Sequence, residues 1–240
     1  MNDQAGNIQA AHIRVTSTDE IVAALDSAGL RLDRAVIVLV GGADIMGEEE
    51  LETMGQVLRD EVVPVAERWD AVVIDGGTDS GVMQLIGRAR SELGGRFPLI
   101  GVAAEGTVLV PGAGRTSPDA VGLEPNHTLF LLVPGMQWGD EVEWMMEVAG
   151  VVAGRRSSVT VLMNGGQIAY ADVAASLGSG RPVVVLAGSG RTADAIATAR
   201  AGDSGDARAV EIAASPLTTV ADVGEAGVAA AAIEAALDGR

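Results

Sequence analysis

The chain contains no cysteine and no lysine, and only two histidines. Without cysteine there is no disulfide, no thiolate nucleophile and no cysteine-based zinc or iron–sulfur site. His12 and His127 are too few for a histidine-rich metal centre, so metal chemistry would fall to carboxylates. The missing lysine excludes Schiff-base catalysis and a P-loop lysine, because all 16 basic residues are arginine. Long apolar runs are missing as well. No stretch approaches the roughly 18 residues that span a bilayer, and the opening "MNDQAGNIQA" lacks the basic and apolar regions of a signal peptide. A cytoplasmic protein is expected. Positive charge is scarce, with 33 acidic residues leaving a formal net charge of −17 and a pI near 4.3. Such a surface repels the phosphates of nucleic acid and of anionic membranes, so neither is an expected partner.

What is present is apolar and periodic. Hydrophobic residues make up 48% of the 240, enough for one substantial core, and a single domain over residues 1–240 is the expectation. "AVIVLV" (35–40), "DAVVIDGG" (70–77), "PLIGVA" (98–103), "TLFLLV" (128–133), "SVTVLM" (158–163) and "PVVVLA" (182–187) read as parallel strands covered on both faces. "HIRV" (12–15) and "AVEIA" (209–213) add expected edge strands. Between these runs, Val82, Leu85, Ile86, Ala89 and Leu93 recur at spacings of three and four, as do Val142, Met145, Met146, Ala149 and Val152. Both patterns predict amphipathic helices. Ile168, Val173 and Leu177 predict a shorter helix, and the alanine-rich 225–237 a closing one. Alternating strands and helices give an α/β fold: a Rossmann-like, doubly wound, mostly parallel sheet with helices on both faces. The segment 105–127 has no periodicity and is expected to be a functional loop at a strand end.

Glycine clusters follow nearly every expected strand: "VGGAD" (40–44), "DGGTDSG" (75–81), "VPGMQWGDE" (133–141), "MNGGQ" (163–167) and "AGSGRTAD" (187–194). In a parallel sheet these five loops share one edge and should converge on one crevice. Glycine permits positive φ and close approach to backbone N–H groups, and the following helix aims its positive dipole end at an anion. Gly76 and Gly135 belong to these loops, Thr78 and Ser80 add hydroxyls, and Arg191 is placed to pair with a phosphate or carboxylate. One GG after a strand is an ordinary tight turn, but five such loops with hydroxyls and an arginine among them point to a ligand. Several neighbouring residues have plainer readings. Asp75 ends its strand in a turn, Asp194 is a first-turn carboxylate, and Trp144, Met145 and Met146 are packing residues. His127 is either a structural histidine or a ligand contact. "VGGADIMG" is not G-x-G-x-x-G, so a plain dehydrogenase reading fails on spacing; G-x-S-x-G is absent too, and with only His12 and His127 available a Ser-His-Asp hydrolase has weak support.

These stretches, in this order, resemble the SLOG superfamily, Rossmann-like domains related to the Lonely-guy and DprA proteins. They look most like the prokaryotic stand-alone version of the ligand-sensing domain of melastatin-type TRP channels. "VGGAD", "DGGTDSGVMQLIGRA", "LEPNHTLFLLVPG" with "WGDEVEWM", and "NGG" before "PVVVLAGSGRTADAIA" carry the resemblance over about residues 35–200. The resemblance implies that the crevice binds a small nucleotide derived from NAD, such as ADP-ribose or a cyclic relative, with no cofactor required. It would place Gly41, Gly42, Gly77, Thr78, Ser80, Gly81, Gly165, Gly166, Gly188, Ser189, Gly190 and Arg191 around that ligand. What a bound nucleotide then controls is an effector protein, a homo-oligomer interface, or nothing beyond capture. The rival implication is Lonely-guy-like hydrolysis of a nucleoside monophosphate, with Glu141 or Glu143 as the carboxylate and Arg115 or Arg88 on the phosphate. Against it, Met136 stands where that family's PGGxGTxxE motif has its second glycine, and Asp140 where it has threonine. "DEVE" is also what any helix N-terminus prefers.

Overall fold

A computed structural model describes residues 10–42, 47–112, 114–115, 117–203 and 205–239. The first half runs through β1 (Ala11–Arg14), α1 (Thr18–Ser27), β2 (Val36–Gly41) and α2 (Glu48–Val57). A π-helical stretch, Leu58–Val62, carries α2 into α3 (Val63–Arg68). Then come β3 (Val72–Asp75), α4 (Gly81–Glu92), β4 (Leu99–Ala104), the short β5 (Val108–Leu109) and β6 (Val121–Gly122), and β7 (Leu129–Val133). The second half holds α5 (Val142–Ala153), β8 (Ser158–Met163), α6 (Ala169–Gly178), β9 (Val183–Ala187) and α7 (Arg191–Arg200). It closes with α8 (Ala207–Ala214), β10 (Thr218–Asp222) and α9 (Val228–Leu237).

Eight strands form one sheet in the order β1-β7-β4-β3-β2-β8-β9-β10, and every pairing among them is parallel. Period-two burial explains the continuous apolar runs. Along β2, Val36, Val38 and Val40 face one core while Ile37 and Leu39 face the other. The first core is covered by α1 and α5 to α8, the second by α2 to α4 and α9. The fold is therefore a doubly wound, Rossmann-like single sheet with helices on both faces.

Two expectations need correction. "AVEIA" (209–213) lies inside α8, where Ala209, Ile212 and Ala213 are buried at helical spacing, so it is no strand. The edge strand on that side is β10, "TTVAD", paired with β9. The segment 105–127 is also more structured than a loop, because β5 and β6 pair in parallel within it. Its second half is tied back to the turn after β3: Asp79 N donates to Gly122 O at 2.7 Å, and Glu124 N to Gly77 O at 3.0 Å.

A buried charge cluster fixes that tie. Side chains of Asp75, Glu124 and His127 have at most 1% exposure, with His127 Nε2 at 2.8 Å from Asp75 Oδ1 and Nδ1 at 2.8 Å from Glu124 Oε2. Burial alone lowers the imidazole's hold on a proton, but the two carboxylates outweigh it and raise its pKa to about 9. Asp75 Oδ1 also accepts from Gly77 N at 2.7 Å, and Glu124 accepts from the backbone and side-chain N–H groups of Asn126. Phe130 completes the wall, its ring stacked on His127 at 5.2 Å and on His12 at 5.4 Å. A Cβ on Gly77 would lie 2.8 Å from Gly101 Cα and 2.9 Å from the Phe130 ring, and Gly77 has φ of 68°. Glycine is needed there for packing as well as for conformation.

His127→Ala strands two buried carboxylates and is expected to lower unfolding free energy by about 3–5 kcal/mol, read from denaturant melts. The imidazole's folded pKa is raised from its ordinary 6.5 to about 9. Its contribution is thus complete below about pH 6.5 and lost as pH climbs through 9, so the gap between wild type and variant should narrow over that window.

Candidate functional site

The strand order turns back between β2 and β8, where β2 has β3 on one side and β8 on the other. At the carboxyl ends beside this switch point lies a cavity of about 580 Å³. Leu39 to Gly42 come to it from β2 and its loop, Gly76, Thr78 and Ser80 from the loop after β3, and Ala103 and Thr107 from β4 and the turn beyond. Trp138, Glu141 and Met145 arrive from the β7–α5 connection, Gly166 to Ala169 and Asp172 from the β8 loop and α6, and Arg191 from the start of α7. All five glycine-rich loops thus reach this region, and each supplies a residue named from the sequence, Glu141 in the case of the third.

The glycines divide by role. Gly41, Gly42, Gly76 and Gly166 line the cavity. A Cβ on Gly41 would meet Val82 Cγ2 at 2.5 Å, so its absence also lets α4 pack on β2, whereas a Cβ on Gly76 would meet open space. Gly77, Gly81, Gly135, Gly165, Gly188, Ser189 and Gly190 do not line it. Gly135 is pressed against Asp140, Gly165 against Ala169, and Gly190 against the Asn164 amide, so each makes room for a neighbour. Ser189 is 2% exposed and uses its hydroxyl internally, accepting from Asn164 N and donating to Leu186 O. Ala43 and Asp44 of the "VGGAD" loop lie outside the described residues.

On the donor side, Thr78 Oγ1 and Ser80 Oγ stand 3.3 Å apart, and Ser80 is the N-cap of α4 without spending its side chain on the helix. Arg191 opens α7 at φ of 47°, and its Nη1 lies 3.5 Å from where a Cβ on Gly42 would be. Asn164, also at positive φ, is fully buried, and its Oδ1 lacks a partner among the described residues. Asp194 accepts from Gly188 N at 2.6 Å, consistent with a first-turn carboxylate.

Three acids line the same cavity: the exposed Asp119, and Glu141 and Asp172, which are more enclosed. Glu141 sits at the N-cap of α5 and accepts from Gly139 N at 3.0 Å; burial raises its pKa against the pull of its own and Gly139's N–H groups. Asp172, in the first turn of α6, is 7% exposed. Burial first, and the charge of Glu141 second, push its pKa up to about 7. Glu143, Arg88 and Arg115 are exposed and away from the cavity, with Arg115 donating to Ala120 O at 3.2 Å. Sequence reasoning missed Asp172 and Trp138. The signal for Asp172 was a carboxylate on the otherwise apolar stripe of α6, beside Ala169, Val173 and Ser176. Among the described residues no group of His, Cys, Asp or Glu could hold a metal ion, and no helix is long and apolar enough to cross a membrane.

A doubly wound parallel sheet with its cavity at the switch point defines a Rossmann-like domain of the nucleotide-related class. The chain belongs to the family described as SLOG in TRPM, prokaryote, whose model matches residues 34–231. It is 28% identical over 204 residues to transient receptor potential cation channel subfamily M member 2 of Mus musculus. That match covers 70% of this chain and 13% of the mouse protein, so the chain spans about an eighth of its relative's length. Among solved structures, the X-ray structure of the structural-genomics target TM1055 superposes with a TM-score of 0.52 at 18% identity. It covers 83% of this chain and 98% of that one, a likeness of fold.

Asp172 should cost stability in the empty protein. Its folded pKa is pushed from the ordinary 3.8 up to about 7, so the native state holds a proton that the unfolded chain releases, and stability falls as pH rises from about 4 to 7. Asp172→Asn removes that penalty, on the order of 4 kcal/mol. Its melting temperature is expected to exceed wild type by about 5–10 °C at pH 8 and to match it at pH 4, by scanning calorimetry.

Proposed function

We propose that the chain binds a nucleotide-derived small molecule of the ADP-ribose, cyclic ADP-ribose or NAD-related class in this cavity. The observation that carries the reading is the gathering of Gly41, Gly42, Gly76, Thr78, Ser80, Gly166 and Arg191 around one cavity in a protein of net charge −17. A surface so acidic repels anions in general, so local donors at a helix-flanked switch point point to a specific anionic ligand. A volume of about 580 Å³ falls in the range of small-molecule sites. Membership of the SLOG-in-TRPM family supports the same class of ligand. Binding requires no metal or cofactor in this reading.

A second reading, hydrolysis of a nucleotide's N-glycosidic bond, draws on one observation. Glu141, rather than Glu143, lines the cavity, and burial raises its pKa above the ordinary carboxylate value, the direction a general acid needs.

Isothermal titration with ADP-ribose, cyclic ADP-ribose, NAD and AMP separates these readings from a ligand-free domain. Saturable binding of at least one is expected; silent titrations with all four and no thermal shift would contradict the proposal. Gly76→Leu places a side chain in the cavity without backbone strain and should abolish binding while leaving the melting temperature within a few degrees. Arg191→Ala should weaken binding by about 1.5–3 kcal/mol through loss of a charged hydrogen bond. Chromatographic release of free base, lost in Glu141→Gln, would instead select the hydrolytic reading.

A further inference from the structure

Phosphate recognition accounts for the donors in the cavity but not for its acids. The buried acids of the described chain are Glu61, Asp75, Glu124 and Asp172. Glu61 accepts from Gly227 N at 3.1 Å and Ala230 N at 2.8 Å, Asp75 through Oδ1 from Gly77 N and His127 while its Oδ2 has no partner among the described residues, and Glu124 from His127 and Asn126. Asp172 differs from all three. It is 7% exposed, faces the cavity, and takes no hydrogen bond from any described residue. A buried carboxyl without donors is costly, and the neighbouring Glu141 makes it costlier by like charge. The missing donors must come from whatever fills the cavity.

The character of that occupant follows from what surrounds the pair. A phosphate is repelled by two carboxyls. Metal ligation wants at least three acidic or imidazole donors grouped together; Asp119 also lines the cavity, but no such group forms among the described residues. Neutral O–H groups suit the pair, because a carboxylate's two oxygens can accept from two adjacent hydroxyls. Trp138 and Ile168, 36% and 38% exposed, and the buried Met145 offer apolar surface on which a sugar ring can lie. Building on the nucleotide-binding reading above, we propose that Asp172 and Glu141 form a subsite that accepts hydrogen bonds from the vicinal hydroxyls of a ribose. The site thereby selects ligands carrying both a phosphate and a sugar diol over bare polyphosphates.

Isothermal titration of wild type, Asp172→Asn and Glu141→Gln with ADP-ribose and with inorganic pyrophosphate, alongside melting temperatures, tests the subsite. The expected result is at least a tenfold loss of ADP-ribose affinity in both variants, unchanged or tighter pyrophosphate binding, and an Asp172→Asn protein no less stable than wild type. Equal ADP-ribose affinity across the three proteins overturns the subsite and leaves nucleotide binding standing. Loss of both probes together with a lower melting temperature also overturns it, making Asp172 a fold-supporting residue. Silence of ADP-ribose on wild type removes the subsite and the binding reading together.

Discussion

The imidazolium of His127, held in the interior between Asp75 and Glu124, fixes where the glycine-rich loop after β3 stands at the cavity. Asp75 is the last residue of β3 and accepts from the turn that follows it, and Glu124 belongs to the segment that crosses that turn. Joining both through one ring makes the placement of Gly76, Thr78 and Ser80 a consequence of buried charge. Gly87 of α4 shares in this, since any side chain there would overlap the Glu124 carboxylate. The helix that begins at the cavity therefore docks on the same cluster. An isolated buried carboxylate is costly, but here each one has the imidazolium as partner and a backbone donor, which offsets much of the desolvation even though Asp75 Oδ2 has no partner among the described residues.

The cavity carries a polarity of its own. Loops after β2, β3, β8 and β9 bring glycine backbone, hydroxyls and a guanidinium, while the start of α5, the first turn of α6 and Asp119 before β6 bring carboxyls. A ligand anionic throughout would be unwelcome beside Glu141 and Asp172, and a purely neutral sugar would leave the arginine side unused. The combination describes a phosphorylated ribose compound better than either half alone. In the proposed reading, leaving Asp172 without protein donors lowers the stability of the empty domain and reserves its oxygens for the ligand, a trade commonly met where a fold is shaped by binding.

Much of this was legible in the sequence because parallel strands buried on both faces leave continuous β-branched runs. The runs at 35–40, 128–133 and 158–163 all appear as strands. "AVEIA" misled because five residues can satisfy either period, and only its packing against α7 settles it as helix. "TTVAD" escaped notice because two threonines and a closing aspartate mask a strand that exposes part of one face. The glycine loops announced where a site lies but not which glycines face it. Gly77 against Phe130 and Gly41 against Val82 serve contacts made across the sheet, and nothing local in the sequence reveals those neighbours. Asp172 was readable in principle, as an acid on an apolar helical stripe, yet its meaning depends on the facing Glu141, which is distant in sequence.

A crystal structure of the domain with ADP-ribose is the most direct test of the central claim. The account predicts phosphate density against the loops of Gly41, Gly76 and Gly166 with Arg191 beside it, and a ribose within hydrogen-bond distance of Asp172. Ligand density elsewhere on the surface, or phosphates seated against the two acids, would contradict it.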